Sequence, residues 1–143
     1  MRYMVDTSAF NRLADGRLSR DQLPADAEFV ATHVQIDEIN RTSDEERRGQ
    51  LFLTFAQYAP EILPTETLVW GVSRWGQAKW GAGRFYESIK SALDARNGAH
   101  PNNIQDALIA EAALTNGYEL VTADTDMAEV VKEHAGNVLY IAL

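Results

Sequence analysis

Four carboxylates, Asp6, Glu38, Asp106 and Asp124, occupy positions that a parallel sheet would bring together. Asp6 and Asp124 each follow a short apolar run that predicts a strand, and Glu38 and Asp106 lie in the early turns of predicted helices. Ligands of open α/β sheets bind beyond the carboxyl ends of the strands. We therefore expect the four side chains to meet at one edge of the sheet.

The residue types indicate which chemistry such a cluster could perform. Carboxylates without His or Cys are hard oxygen ligands, and they favour Mg²⁺ or Mn²⁺ over zinc. One or two such ions can hold a phosphodiester, lower the pKa of a bound water and stabilise the leaving oxygen. The chain has no cysteine, so a thiolate metal site and a disulfide framework are both excluded.

Each acid also has an ordinary structural explanation when it is considered alone. Asp6 could hydrogen-bond the turn that follows its strand, and Glu38 could be a solvated helix residue. Asp106 lies three residues after Asn103, where it could be the N3 carboxylate of a helix N-terminus. Asp124 could cap the next helix, as could Asp126. The joint arrangement of the acids favours a shared functional site over these separate structural roles.

Alternating strands and helices must position these acids. We predict strands at residues 3–5, 29–32, 68–72, 120–122 and 138–143. Helical patterns follow Asp6, include Ile36 and Ile39, and then occupy residues around 46–58, 85–97, 104–114 and 128–131. This alternation is typical of the doubly wound α/β class, in which a central parallel sheet is flanked by helices.

Turn and cap residues predict where several helices begin and end. Thr7 and Ser8 are candidate caps of the first helix, and Ser43 with Glu46 has capping-box spacing. Leu51, Phe52 and Phe55 are expected to form the buried face of the helix that follows Ser43, and Pro60 should end it. Gly16, Gly98 and Gly117 are expected to stop the other helices.

Length and composition predict one soluble domain over residues 1–143. No apolar run approaches the ~18 residues of a membrane span, and the first residues do not form a signal-peptide core. We therefore expect a cytoplasmic protein. The net charge of −8 argues against a polyanionic partner, but residues 67–100 carry a net charge of +3 between acidic flanks.

A short repeat occupies the basic segment. Trp70, Trp75 and Trp80 each begin a WGxx(R/K) unit, and the units end at Arg74, Lys79 and Arg84. Interleaved rings and cations suit a single-stranded nucleic acid, whose bases stack while its phosphates meet the cations. The alternative is that the tryptophans pack in the core, under loops or at a subunit contact.

Four segments carry a resemblance to PIN-domain nucleases, and most closely to the VapC-type toxins of bacterial and archaeal toxin–antitoxin pairs. They are Val5-Asp6-Thr7-Ser8, Ile36-Asp37-Glu38-Ile39, Asp106-Ala107-Leu108-Ile109-Ala110 and Leu120-Val121-Thr122-Ala123-Asp124. The resemblance extends over essentially the whole chain. It implies hydrolysis of RNA, a partner antitoxin and a homodimer.

The same resemblance implies roles for individual residues. The acidic quartet of the family falls on Asp6, Glu38, Asp106 and Asp124, with Asp126 as a further acid and with Thr122 or Ser8 as hydrogen-bonding support. Asp6, Asp106, Asp124 and Asp126 are the expected metal ligands. Glu38 is expected either to bind metal or to orient the attacking water.

Other classes of protein fit the acids less well. A receiver domain would have an acid pair after the first strand, and an aspartyl phosphatase would have a second Asp two residues after Asp6, where Ser8 is found. A non-catalytic PIN-like module that binds RNA or another partner remains the alternative to the nuclease. Metal-dependent cleavage separates the two.

Overall fold

The sheet that positions the acids has five parallel strands. The computed structural model describes residues 2–58, 60–66 and 85–141. Its strands are β1 (Arg2–Val5), β2 (Glu28–Thr32), β3 (Glu61–Leu63), β4 (Glu119–Thr122) and β5 (Val138–Tyr140). They lie in the order β3-β2-β1-β4-β5, and every neighbouring pair is parallel.

Six α-helices connect the strands in the described part of the chain. They are α1 (Thr7–Ala14), α2 (His33–Asn40), α3 (Glu45–Tyr58), α4 (Tyr86–Asn97), α5 (Asn103–Asn116) and α6 (Thr125–Glu133). A short 3₁₀ turn, Arg20–Gln22, interrupts the connector between α1 and β2. None of the described helices is both long and apolar enough to cross a membrane.

The helices cover both faces of the sheet because successive strand residues point to opposite sides. Met4 and Leu120 face a core built with α4, α5 and α6. Tyr3, Val5 and Val121 face a second core, built with α1 and with Phe55 of α3. The predicted doubly wound α/β fold is therefore confirmed.

The connections that follow the two central strands leave toward opposite faces of the sheet. β1 pairs with β2 on one side and with β4 on the other. After β1 the chain enters α1 on one face, whereas after β4 it enters α6 on the opposite face. The two connections diverge at the carboxyl ends of β1 and β4, which is the crevice where open α/β sheets bind their ligands.

The structure corrects several local predictions. Asp44, not Ser43, caps α3, because its Oδ1 accepts a hydrogen bond from the Arg47 amide at 3.0 Å. The predicted capping box of Ser43 and Glu46 is therefore wrong. Phe52 is not part of the buried face of α3, since 38% of its surface is exposed. Its position turns away from the face that carries Leu51 and Phe55.

The strand predictions were accurate at the centre of the sheet and poorer at its edges. The edge strand beside β2 is Glu61–Leu63, which the sequence analysis did not identify. The strand predicted at residues 68–72 lies outside the described residues. The closing strand is Val138–Tyr140, and Ile141 lies just beyond it, although its amide still donates to the Thr122 carbonyl at 2.8 Å. The last two residues of the predicted strand, 142–143, lie outside the described residues.

Gly117 ends α5 as expected. It adopts a left-handed backbone with φ of 70°, which costs a glycine little because it lacks a Cβ. The Tyr118 amide then bonds the Ala113 carbonyl at 2.9 Å, and the chain turns directly into β4. The turn places β4 beside β1 and so brings Asp124 to the crevice.

Candidate active site

Asp6 is fixed at the carboxyl end of β1 by bonds to both of its oxygens. Its Oδ1 accepts from the Ala9 amide at 2.9 Å and from the Ser8 hydroxyl at 2.6 Å. Its Oδ2 accepts from the Thr122 hydroxyl. Asp6 is thus the N-cap of α1, a role that the sequence analysis assigned to Thr7 or Ser8. The carboxylate is 97% buried and held in one orientation.

Ser8 and Thr122 join the ends of β1 and β4. The Ala123 amide donates to the Ser8 hydroxyl at 3.0 Å, and the Asp124 amide donates to the Thr122 hydroxyl at 3.0 Å. The two hydroxyls are 3.3 Å apart. Together with their bonds to Asp6, these contacts set the relative positions of Asp6 and Asp124. The hydrogen-bonding support implied by the PIN resemblance is present in the structure.

Asp124 follows β4 and caps α6. Its Oδ1 accepts from the Met127 amide at 3.2 Å, and its side chain is exposed to solvent. Capping and a position in the site are therefore compatible for this residue, as they are for Asp6. Asp126 lies in the first turn of α6 and is half-buried.

Glu38 is brought to the crevice by α2. This helix begins at His33, so Glu38 lies in its second turn and not in its first. Its Oε1 is buried and has no hydrogen-bond partner among the described residues. Burial raises the pKa of Glu38, and the charge of Asp6 adds to this, while Arg41 opposes it. The Thr7 hydroxyl also opposes the increase in the pKa of Glu38, although the two groups do not meet the geometry of a hydrogen bond.

Asp106 lies in the first turn of α5. The N-cap is Asn102, so Asp106 is the fourth residue of the helix and not the N3 residue that a capping role would require. Burial raises the pKa of Asp106 to about 8, and the charges of Asp6, Glu38 and Asp124 contribute in that order. The other three predicted acids therefore lie within electrostatic range of Asp106.

Burial also affects the charge of Asp6. It raises the pKa of this carboxyl to about 6, although the hydrogen bonds from Ser8, Thr122 and Ala9 act in the opposite direction. The charge of Asp124 adds to the increase.

The four carboxylates suit a hard divalent cation, although they do not already surround a binding position. Among the described residues, no three His, Asp or Glu side chains form a ready metal-binding group. Without a cation, mutual repulsion favours separated carboxylates. The unpartnered Glu38 Oε1 and the raised pKa of Asp106 both indicate that a positive charge would stabilise the cluster. The donors fit Mg²⁺ or Mn²⁺.

Gln35 positions Glu38, and the sequence analysis did not identify it. Its Oε1 accepts from the Thr32 amide at 2.9 Å and from the Thr32 hydroxyl at 2.7 Å, while its Nε2 donates to the Val5 carbonyl at 3.0 Å. These bonds join the start of α2 to the end of β1. The Thr-x-x-Gln spacing is that of a capping box, so the sequence did carry a signal for it.

Glu111 is a second buried residue that was missed. Its Oε2 accepts from the amides of Phe85 and Tyr86 at 2.8 and 2.7 Å, which attaches the first turn of α4 to α5. The residue is fully buried. No local pattern in the sequence indicates this role, because the partner amides lie 25 and 26 residues away.

The predicted RNA contacts Arg74, Lys79 and Arg84 lie outside the described residues, as do all three tryptophans of the repeat. The interpretation of that segment therefore stays a prediction.

Solved structures share this arrangement of strands and helices. A chain of VapBC2 from Rickettsia felis, solved bound to a DNA fragment from their promoter, matches with a TM-score of 0.60 and 14% sequence identity. VapBC-1 from nontypeable Haemophilus influenzae matches with a TM-score of 0.56 and 15% identity. VapBC-5 from Mycobacterium tuberculosis, described as a member of the VapBC family of toxin–antitoxin systems, matches with a TM-score of 0.51 and 18% identity. The chain has a PIN-like fold.

The match to this PIN-like fold is nearly complete in length. The three comparisons cover 98–99% of this chain and 98% of each matched chain. No protein-family model matches the sequence, and no curated protein matches it either. At 14–18% identity the likeness is one of fold, so the roles of individual residues rest on the geometry of the site.

Proposed function

We propose that the chain is a metal-dependent ribonuclease that hydrolyses RNA phosphodiester bonds, and that it is the toxin of a type II toxin–antitoxin pair. The observation that supports the proposal is that the charges of Asp6, Glu38 and Asp124 all act on Asp106, beside the carboxyl ends of β1 and β4. RNA is proposed as the substrate because the sequence resembles PIN-domain nucleases. The VapBC structures that share the fold support the toxin–antitoxin part of the proposal.

In this proposal Asp6, Asp106 and Asp124 hold Mg²⁺ or Mn²⁺, with Asp126 as an additional ligand. The ion would supply positive charge for the scissile phosphate and acidify a water molecule. The fixed orientation of Asp6 provides one preformed ligand, because Ser8 and Thr122 already hold both of its oxygens. Ligation would favour the ionised form of Asp106.

Glu38 is proposed to orient the attacking water. Its unpartnered Oε1 is a buried acceptor adjacent to the other acids, so it can take a hydrogen bond from a water in the crevice. Direct metal binding by Glu38 is the alternative role.

The proposal includes a cellular context. We propose a single domain over residues 1–143 that acts in the cytoplasm as a homodimer and is held inactive by an antitoxin. The antitoxin follows from the VapBC assemblies that share the fold.

The test is cleavage of RNA by the purified protein. We expect cleavage with Mg²⁺ or Mn²⁺, none with EDTA, and a loss of at least about 100-fold in Asp124→Asn, since one ligand of the ion is removed. Asn caps helices as well as Asp does, so α6 should be retained in this variant. The matched control is Asp21→Asn, an exposed carboxylate of the 3₁₀ turn, which should cleave as wild type does.

Two outcomes would contradict the proposal. Cleavage that persists in chelator would exclude the metal mechanism. A folded protein that binds RNA but does not cut it with either ion would instead be the non-catalytic PIN-like module.

A further inference from the structure

A nuclease with a net charge of −8 needs cations near its carboxylates if it is to hold a polyanion. Several described cations already bind carboxylates within the protein. Ion pairs join Arg2 to Glu28 and Glu61, Arg47 to Asp15, Lys90 to Asp94, and Arg96 to Glu129 and Glu133. Arg41, in the turn between α2 and α3, and Arg48, in the first turns of α3, are not used in this way.

Arg41 lies beside the acid cluster. It follows α2 as its C-cap and keeps a right-handed helical backbone, with φ of −81° and ψ of −5°. It is therefore one turn beyond Glu38, a spacing that puts side chains on the same helix face with their Cβ atoms roughly 5–6 Å apart. The side chain is exposed, and within residues 2–58, 60–66 and 85–141 it forms no ion pair or hydrogen bond.

Arg48 is attached to the same turn from α3. Its Nη1 donates to the Thr42 carbonyl at 2.9 Å, and the Thr42 hydroxyl in turn contacts the Glu38 carbonyl at 3.4 Å. The guanidinium is half-buried and has no carboxylate partner in the described parts of the chain. One carbonyl uses only one of its five N–H donors, so the others can reach an anion.

We propose that Arg41 and Arg48 each bind a backbone phosphate of the RNA strand next to the carboxylate cluster. The inference rests on the proposed ribonuclease function and specifies where the substrate lies. A strand that places one phosphate at the carboxylates must continue across the adjoining surface. The α2–α3 turn is the neighbouring surface on the Glu38 side, and its two guanidinium groups have the planar donor geometry that phosphate oxygens accept.

RNA fits this position better than an acidic protein segment. An acidic segment seated on Arg41 would also lie against Glu38 and its neighbouring acids, which would repel its carboxylates. The phosphates of a nuclease substrate must approach those acids in any case, because a divalent cation joins the two negative partners.

The test is the salt dependence of RNA binding. A short fluorescein-labelled single-stranded RNA of mixed sequence is titrated with protein carrying Asp106→Asn, so that the RNA is not cut, at about 50–200 mM salt with Mg²⁺. Adding Arg41→Gln and Arg48→Gln should weaken binding. It should also reduce the slope of log affinity against log salt by about 1.4, since each phosphate contact on a single strand contributes about 0.7.

Two further variants show whether the effect is local. Lys132→Gln removes a positive charge from the last turn of α6 and should leave the slope unchanged. Arg41→Lys keeps the charge and should keep the slope. If Arg48→Gln disturbs the turn that it bonds, Arg41→Gln alone should still reduce the slope by about 0.7, because no fold contact of Arg41 is lost.

An unchanged slope in Arg41→Gln would overturn the inference, and so would an equal reduction in Lys132→Gln. Either result could occur in a protein whose wild type cuts RNA with metal, so neither would contradict the ribonuclease function. If the wild type neither binds nor cuts RNA, the proposed function fails, and this inference fails with it.

Discussion

Asp106 is the residue whose charge depends most strongly on its surroundings. It is poorly solvated at the start of α5, and three other carboxylates act on it. A group in this position favours its neutral form until a cation arrives. Asp106 does not occupy the N3 position of a capping box, because it is the fourth residue of α5.

This charge state leads to a pH dependence in the metal-free protein. The pKa of Asp106 is raised from 3.8 to about 8, so between these values the folded protein binds more protons than the unfolded chain. The stabilisation is complete below the unfolded pKa and is lost as the pH rises through about 8. Urea unfolding in EDTA should therefore show a free energy of unfolding that falls between about pH 4 and about pH 8 and then levels off.

Asp106→Asn should flatten that fall, because the amide has no charge to desolvate. Asp6, whose pKa is raised to about 6, should leave a smaller dependence in the variant. A stability that is lower by roughly 0.3–1 kcal/mol at every pH, with the slope intact, would instead assign Asp106 to the helix N-terminus. Asp21→Asn serves as the control and should keep the wild-type slope.

At the scale of elements, the Thr32–Gln35 pair decides where α2 starts and how it lies against β1. Both side chains are fully buried, and the Gln35 amide bonds the last residues of β2 and β1, Thr32 and Val5. Glu38 is three residues further along the same helix. Its place in the site therefore depends on a contact that performs no chemistry.

Gln35→Met tests this contact because methionine keeps the length of the side chain without its amide. The Thr32 amide and the Val5 carbonyl would remain buried and lose their partner, at a cost of about 1–3 kcal/mol each. We expect urea unfolding to show that loss and RNA cleavage to fall even where the protein is folded. Gln50→Met, on an exposed position of α3, should change stability by less than about 0.5 kcal/mol. Equal stability of the two variants would contradict the assignment.

For the whole molecule, the fold concentrates negative charge at one edge of an already acidic protein. The strand order places Asp6 and Asp124 on neighbouring strands, and α2 and α5 supply Glu38 and Asp106. This repulsion opposes folding until a cation is bound. Metal should therefore act as a stabilising ligand of the native state.

We expect Mn²⁺ to raise the thermal stability of the wild type by about 2.7 kcal/mol when the free ion is near 100 times its dissociation constant. Asp124→Asn should gain much less, since the cap is kept while a ligand is lost. Asp21→Asn should gain as much as the wild type. Equal metal shifts in all three proteins would place the ion outside the acid cluster. Melting followed by circular dichroism, in EDTA and in excess Mn²⁺, measures the difference.

The sequence by itself determined the features that depend on residues a few positions apart. The apolar run before Asp6 and the run before Asp124 predicted the central strands, and Gly117 predicted the end of α5, because strand period and helix termination are local properties. The positions of Asp6 and Asp124 could be predicted from these strands, because a residue that follows a parallel strand lies at the carboxyl edge of the sheet.

Tertiary structure decided how those residues are held and charged. Thr122 bonds Asp6 across 116 positions of the chain, and Gln35 reaches Val5 across 30. The raised pKa of Asp106 comes from burial and from charges on three other elements. Such quantities sum over neighbours that only the folded chain brings together, so the sequence could name the acids but could not determine which of them are buried, bonded or protonated.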